Sequence, residues 1–276
     1  MRTSLLLSAL IISTSAHHSS CLIVQISMMK VGTFLGINLL KKMTKKSLAF
    51  IGAEASAKTR KGEQDVINVT PNDFHAFSTM GETRFWATHS PYVEEYARVL
   101  SQPKYQIIFI ERDPRDVVVS FALYIRDKDK KYWPGAQKLS LEETITRLIV
   151  GGESMHQTDH HISKYGIKKM YDAYLPWTAL PNVLTIRFED LIGPRGGGNL
   201  EAQIKTITDV AQHIGKTITR AEAISYGDSI FGNTHSFNKG KIGSWKEYFT
   251  PEQKELFKKH AGQLLIDLEY EPDLRW

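Results

Sequence analysis

Cysteine is almost absent from this chain: Cys21 is the single one in 276 residues. One thiol cannot close an intrachain disulfide, and it cannot build a cysteine-ligated zinc site. Long apolar runs are missing as well, since the stretch Leu5 to Ile12 is too short to span a bilayer, and no stable membrane insertion is expected. The Walker A pattern G-x-x-x-x-G-K-[ST] occurs nowhere, and no segment repeats. Charge of one sign is scarce, with a net +5 and a pI near 9.1. That mild excess suits a small anionic ligand at least as well as a nucleic acid. No aromatic-basic array offers base stacking, so no nucleic-acid partner is expected.

The chain does have enough apolar content, 42% against 24% charged, to bury the core of one large α/β domain or two small ones. Residues 1–20 carry one positive charge, a short apolar core and the small-residue ending Thr14-x-Ala16. They read as a signal peptide or as an N-terminal extension.

The most informative stretch runs from Gln106 to Tyr124. Ile107 to Ile110 form an unbroken run of branched and aromatic residues, the pattern of a strand buried on both faces of a parallel sheet. Asp113 then stands at a helix N-cap, with Pro114 at the first helical position and Asp116 in the first turn, where the macrodipole favours negative charge. Arg112 and Ser120 flank the new helix terminus, and an arginine, a hydroxyl and free amides together would bind an anion. The same residues also permit a plain reading: Arg112 paired with Asp113 or Asp116, and Ser120 tolerated in a helix.

A second strand, Leu22 to Ile26, leads through S-M-M-K-V-G-T into a helix from Phe34 to Met43. That arrangement offers backbone amides to phosphate or sulfate, with Lys30 as a mobile cation beside them. Ser47 to Thr83 lacks periodic apolar positions and reads as loops and short helices, a candidate lid. Arg84 to Ser90 reads as a strand that carries His89 to the carboxyl rim of the sheet, where α/β proteins bind ligands. Pro181 to Ile186 is a further strand, Gly193 to Gly198 a flexible loop, and Leu200 to Ile214 an amphipathic helix. Thr250 to Gln253 is a capping box that starts a last helix through Leu265. His156 and His160 stand at i, i+4, a spacing that can hold a metal on a helix, but no partner carboxylate completes a motif.

Four of these segments, taken together, resemble the sulfotransferases that use 3′-phosphoadenosine 5′-phosphosulfate (PAPS). R-D-P-R-D-V-V-V-S is similar to that family's 3′-phosphate segment, with Arg112 and Ser120 at the matching places. M-K-V-G-T-F-L resembles its 5′-phosphosulfate loop P-K-x-G-T-x-x-L. Met29 replaces the proline there, and Leu35 the tryptophan that helps hold adenine. A-T-H-S-P-Y resembles T-H-x-P-Y, whose histidine is the catalytic base. F-N-K-G-K-I-G-S-W-K resembles the C-terminal loop F-x-R-K-G-x-x-G-x-W-K, with Asn238 in place of an arginine. Losing that charge-assisted hydrogen bond weakens donor binding about 10- to 100-fold unless Lys239 or Lys241 compensates. Arg187-Phe188-Glu189-Asp190-Leu191 stands where the family has Y-E-D-L, so Phe188 lacks a hydroxyl.

The resemblance implies an α/β, P-loop-like three-layer fold over residues 21–276, with a central, mostly parallel sheet and helices on both faces. It implies sulfuryl transfer from PAPS to a hydroxyl or amine of a small-molecule or carbohydrate acceptor, without a metal. His89 would act as base and Lys30 as charge stabiliser. Lys30, Gly32, Thr33, Phe34, Arg112, Ser120, Asn238, Lys239 and Gly240 would bind the donor. Two other functions stay open: a nucleoside or sugar kinase on a related fold, and a sulfotransferase-like binder that has lost efficient donor capture. A homodimer is compatible with these readings. A cytoplasmic site is favoured over export, because the donor is made there.

Overall fold

A computed structural model describes residues 21–51, 71–128, 130–131, 133–153, 155, 162–232 and 239–276. Five strands form one wholly parallel sheet: β1 (Leu22–Ser27), β2 (Ser47–Ile51), β3 (Arg84–Thr88), β4 (Tyr105–Glu111) and β5 (Val183–Arg187), in the spatial order β2-β3-β1-β4-β5. The central pair reads as expected for strands covered on both faces. Every residue of β1 is buried, and so is every residue of β4 except Gln106.

Among the described residues the first helices are α1 (Thr33–Thr44), α2 (Pro71–Ser78) and α3 (Glu94–Leu100). Then come α4 (Pro114–Asp127), α5 (Leu141–Val150), α6 (Gly166–Asp172) and the short α7 (Phe188–Ile192). The last four are α8 (Leu200–His213), α9 (Arg220–Ile230), α10 (Trp245–Tyr248) and α11 (Pro251–Asp267). Their starts follow local chemistry. The Asp113 carboxylate accepts from the Arg115 N–H with Pro114 at the first position of α4, and complete capping boxes open α5, α9 and α11.

The strand order places the ligand crevice. From β1 the chain moves outward toward β2, whereas from β4 it moves the opposite way to β5. Right-handed crossovers in opposite directions put α1 and α4 on opposite faces, which leaves a crevice between the carboxyl ends of β1 and β4. The packing agrees, with α1 against α9 and α4 against α5 and α10. Among the described residues no helix is long and apolar enough to cross a membrane.

Two expectations are corrected. The stretch Ser47 to Thr83 is not all loop and short helix, because Ser47–Ile51 forms the edge strand β2, paired along its length with β3. Its five residues, Ser-Leu-Ala-Phe-Ile, show no polar and apolar alternation to mark a strand that has one neighbour. Gly193 to Gly198 is not a loose loop: the N–H groups of Gly196 and Gly198 both bond to the Gly193 carbonyl, and Ile242 N–H bonds to that of Gly196. A side chain at Gly196 would lie 2.6 Å from the Gly240 carbonyl oxygen, so this turn needs glycine for a close backbone approach. Residues 1–20, the centre of the candidate lid at 52–70, and the pair His156 and His160 lie outside the described residues.

Candidate active site

Strand register fixes how the rim residues meet. Ser27 pairs with Ile110 and Ile26 with Thr88, so the turns after β1, β3 and β4 leave the sheet at one level. They open on a cavity of about 170 Å³, lined by residues from the three turns together with Phe188, Lys239 and Gly240. Of the sequence-predicted residues, Lys30, Gly32, Thr33, Phe34, His89, Arg112, Ser120, Lys239 and Gly240 all line it. Asn238 lies outside the described residues.

The turn after β1 is shaped by backbone. Lys30 and Gly32 have φ of 71° and 102°, and left-handed residues spaced this way curl consecutive N–H groups toward a common centre. Gly32 is the N-cap of α1, whose first amides have no partner within the helix. A Cβ on Gly32 would lie 2.6 Å from the Phe188 ring, so neither the angle nor the space admits a side chain. Thr33 is pinned from below: its carbonyl accepts from Gln25 Nε2 at 2.8 Å, and its hydroxyl meets the Ser27 hydroxyl at 2.9 Å. The Lys30 ammonium rests 4.0 Å from the centre of the Tyr124 ring.

His89 is half-buried beside this turn, with Nδ1 2.7 Å from the Ser27 carbonyl oxygen. A carbonyl only accepts, so Nδ1 carries the proton and Nε2 keeps its lone pair. The Tyr174 hydroxyl donates to the His89 carbonyl at 2.5 Å and steadies the backbone behind the ring. Burial, with Lys30 adding to it, lowers the imidazole pKa to about 4 despite the Ser27 hydrogen bond. His89 is therefore neutral at pH 7, the form a general base requires.

The turn after β4 is held by side chains. Arg112 is 6% exposed and donates to the carbonyls of Lys30 at 3.2 Å and Lys241 at 3.0 Å. Its guanidinium lies 4.1 Å from the centre of the Phe188 ring, and Asp116 Oδ2 is 3.7 Å from Nη2. Its Nε is buried with no hydrogen-bond partner among the described residues. Asp116 does more than charge the first turn of α4: it accepts from the N–H groups of Gly243 at 2.7 Å and Trp245 at 2.9 Å, anchoring the C-terminal loop. Asp113 pairs with Arg115, not with Arg112. Lys239 lines the cavity while its ammonium pairs with Glu247 at 2.9 Å on the exposed side.

Sequence reasoning missed Asp116 as an anchor, Phe188 as the plate under Arg112, and Tyr124 beneath Lys30. The spacing of Asp116, four residues after Arg112 on one helix face, was the available signal. For the other two no local pattern exists.

The sulfotransferase domain family model matches residues 13–269. The chain belongs to that family. This sulfotransferase also resembles solved structures at low identity, and the likeness is one of fold. Mouse sulfotransferase SULT7A1 complexed with PAP (3′-phosphoadenosine 5′-phosphate) aligns at 18% identity and a TM-score of 0.62, over 91% of this chain and 89% of that one. Retinol dehydratase in a complex with retinol and PAP aligns at 16% identity and a TM-score of 0.58, over 89% of this chain and 81% of that one. The same enzyme with androsterone and inactive cofactor PAP aligns at 15% and 0.55, over 89% and 80%. A search of curated proteins finds no match.

Proposed function

We propose that this sulfotransferase takes its sulfuryl group from PAPS and passes it to a hydroxyl or amine of a small-molecule or carbohydrate acceptor, with His89 as the base. One observation carries the reading. A neutral imidazole whose Nε2 keeps its lone pair, a curled amide loop with a lysine, and a buried arginine whose Nε has no partner among the described residues all line one cavity. Two anion-binding anchors and a base on one cavity suit a nucleotide with phosphates at both its 3′ and 5′ positions. The residues present fit that group: the first amides of α1 carry no side-chain cap where they meet the cavity, and the buried Arg112 Nε lacks a partner among the described residues.

When bound, PAPS supplies the activated sulfuryl group. The first amides of α1, at Gly32, Thr33 and Phe34, would hold the 5′ end. Arg112 and Ser120, with Lys239, Gly240 and the neighbouring Asn238, would hold the 3′-phosphate. His89 Nε2 takes the acceptor proton as the acceptor oxygen or nitrogen bonds to sulfur. Lys30 leaves the Tyr124 ring and stabilises charge on the departing 5′-phosphate oxygen. Positioning and charge stabilisation account for the rate, as in phosphoryl transfer.

Calorimetry separates this reading from its rivals. Sub-millimolar binding of PAP, with weaker binding of ATP and magnesium, is the expected result. Preference for ATP and magnesium would favour a kinase, and binding of neither would favour a sulfotransferase-like protein without donor capture. A screen of hydroxyl and amine acceptors with a radiolabelled sulfate donor then identifies the acceptor.

A further inference from the structure

The first turn of α4 buries Asp113, Arg115 and Asp116 at 7%, 3% and 1% exposure. Charges this deep persist only where each one is paired; the pairs close partly within this turn and partly with groups far along the chain. The Asp113 N–H donates to Glu189 Oε1 at 2.9 Å, and the Tyr270 hydroxyl donates to Glu189 Oε2 at 3.1 Å. Arg115 grips the Asp113 carboxylate through Nε and Nη2, and its Nη1 bonds to Glu271 Oε1 at 2.6 Å. The flat guanidinium sits in the corner formed by Trp245, 4.2 Å to the ring centre, and Trp276, 4.5 Å. Those two indoles meet edge to face at 5.3 Å.

This stack bears on Arg112. Two of its contacts, the Lys241 carbonyl and Asp116, depend on the loop from Lys241 to Trp245. That loop is pressed onto α4 through Trp245, and Trp245 is backed by Trp276. We propose that Glu271 and Trp276 are positioning residues for donor binding. Neither lines the cavity. They fix Arg115 and Trp245, which fix the loop, which aims Arg112 at the 3′-phosphate. The inference rests on the PAPS reading above.

The test compares PAP with 5′-AMP, which lacks only the 3′-phosphate, in calorimetry on the full chain. Trp276→Ala and Glu271→Gln should weaken PAP binding about tenfold and leave 5′-AMP binding within about twofold. Trp276→Phe, which keeps an aromatic face on Arg115, should restore most of the PAP affinity. Unchanged PAP affinity would overturn the inference, as would equal losses for both ligands, since a tail that only stabilises the fold cannot discriminate a 3′-phosphate. Should Trp276→Ala fail to fold, the milder Glu271→Gln carries the same comparison. If the unaltered chain does not bind PAP, the donor reading falls and this inference with it. If it does, normal PAP binding by the variants sinks the inference alone.

Discussion

After β1, seven consecutive residues from Ser27 to Thr33 shape one half of the cavity, largely through backbone angles and helix amides. After β4, Arg112 draws its contacts from Lys30, Asp116, Phe188 and Lys241, up to 129 residues away. The first half is local: it carries Lys30, and its Ser27 carbonyl orients His89, which arrives from the turn after β3. The second is assembled from distant segments and places a buried positive charge. A local loop forms as soon as its strand and helix do, whereas the assembled half depends on the C-terminal segment docking. Substitutions should therefore separate: the β1 half should govern turnover, and the β4 half should govern donor affinity.

The largest effect belongs to His89→Ala. Removing the base should lower kcat about 10²- to 10⁴-fold while PAP still binds with near-normal affinity. Near-normal turnover would remove His89 from the mechanism and break the division at its strongest point. Because burial lowers the His89 pKa to about 4 in the unliganded protein, the acid limb of kcat/KM should lie below about pH 5, well under the ordinary imidazole value of about 6.5. Arg112→Ala should do the converse. It deletes the 3′ anchor and leaves Asp116 buried without its cation, so PAP affinity should fall on the order of 100-fold. An equal loss for 5′-AMP would show that Arg112 holds the fold rather than the phosphate.

The same division explains what the sequence disclosed. Leu22 to Ile26, Ile107 to Ile110 and the cap at Asp113 announce two strand-turn-helix units, because each is set by neighbours within a few residues. Lys30, His89 and Arg112 could be placed together because parallel strands in register deliver successive turns to one rim. Phe188 was legible only as a lost hydroxyl, whereas in the fold it packs on Gly32 and stacks on Arg112. Glu271 and Trp276 carried no signal at all, since their partner Arg115 lies 156 residues before Glu271. Edge strand β2 was missed because one neighbour imposes little pattern on five residues.

Gly32→Ala sharpens the comparison at the point where the two halves touch. The added Cβ meets the Phe188 ring at 2.6 Å and sits at a φ of 102°. Strain of that kind costs about 1–3 kcal/mol, so thermal unfolding should shift down by several degrees. Phe188→Ala removes the collision and leaves the angle, while itself costing about 3–5 kcal/mol as a buried aromatic cut back to alanine. Gly32→Ala should therefore lower the melting temperature by less in the Phe188→Ala background than in the unaltered chain, but still measurably. No further drop in that background would mean that the ring, not the backbone, demands glycine. Arg112 loses its aromatic plate in both Phe188→Ala variants, and PAP binding should weaken in each.

The smallest effect concerns pH, and the halves respond with opposite sign. His89 has its pKa lowered from the ordinary 6.5 to about 4, chiefly by burial. Between those values the unfolded chain binds more protons, so His89 makes stability rise with pH. Glu189, held between the Asp113 N–H and the Tyr270 hydroxyl, has its carboxyl raised from 4.5 to about 7, again chiefly by burial. There the folded chain binds more protons, so Glu189 makes stability fall as pH rises from about 4.5 through 7. Glu189→Gln keeps a neutral acceptor in place and removes the second slope alone. Its melting temperature should match the unaltered chain near pH 5 and exceed it by roughly 2–5 °C at pH 8. A gap that does not change with pH would show that Glu189 takes up no proton on folding. The buried network behind Arg112 would then carry a full negative charge at every working pH, balanced by the cations of α4 and not by protonation.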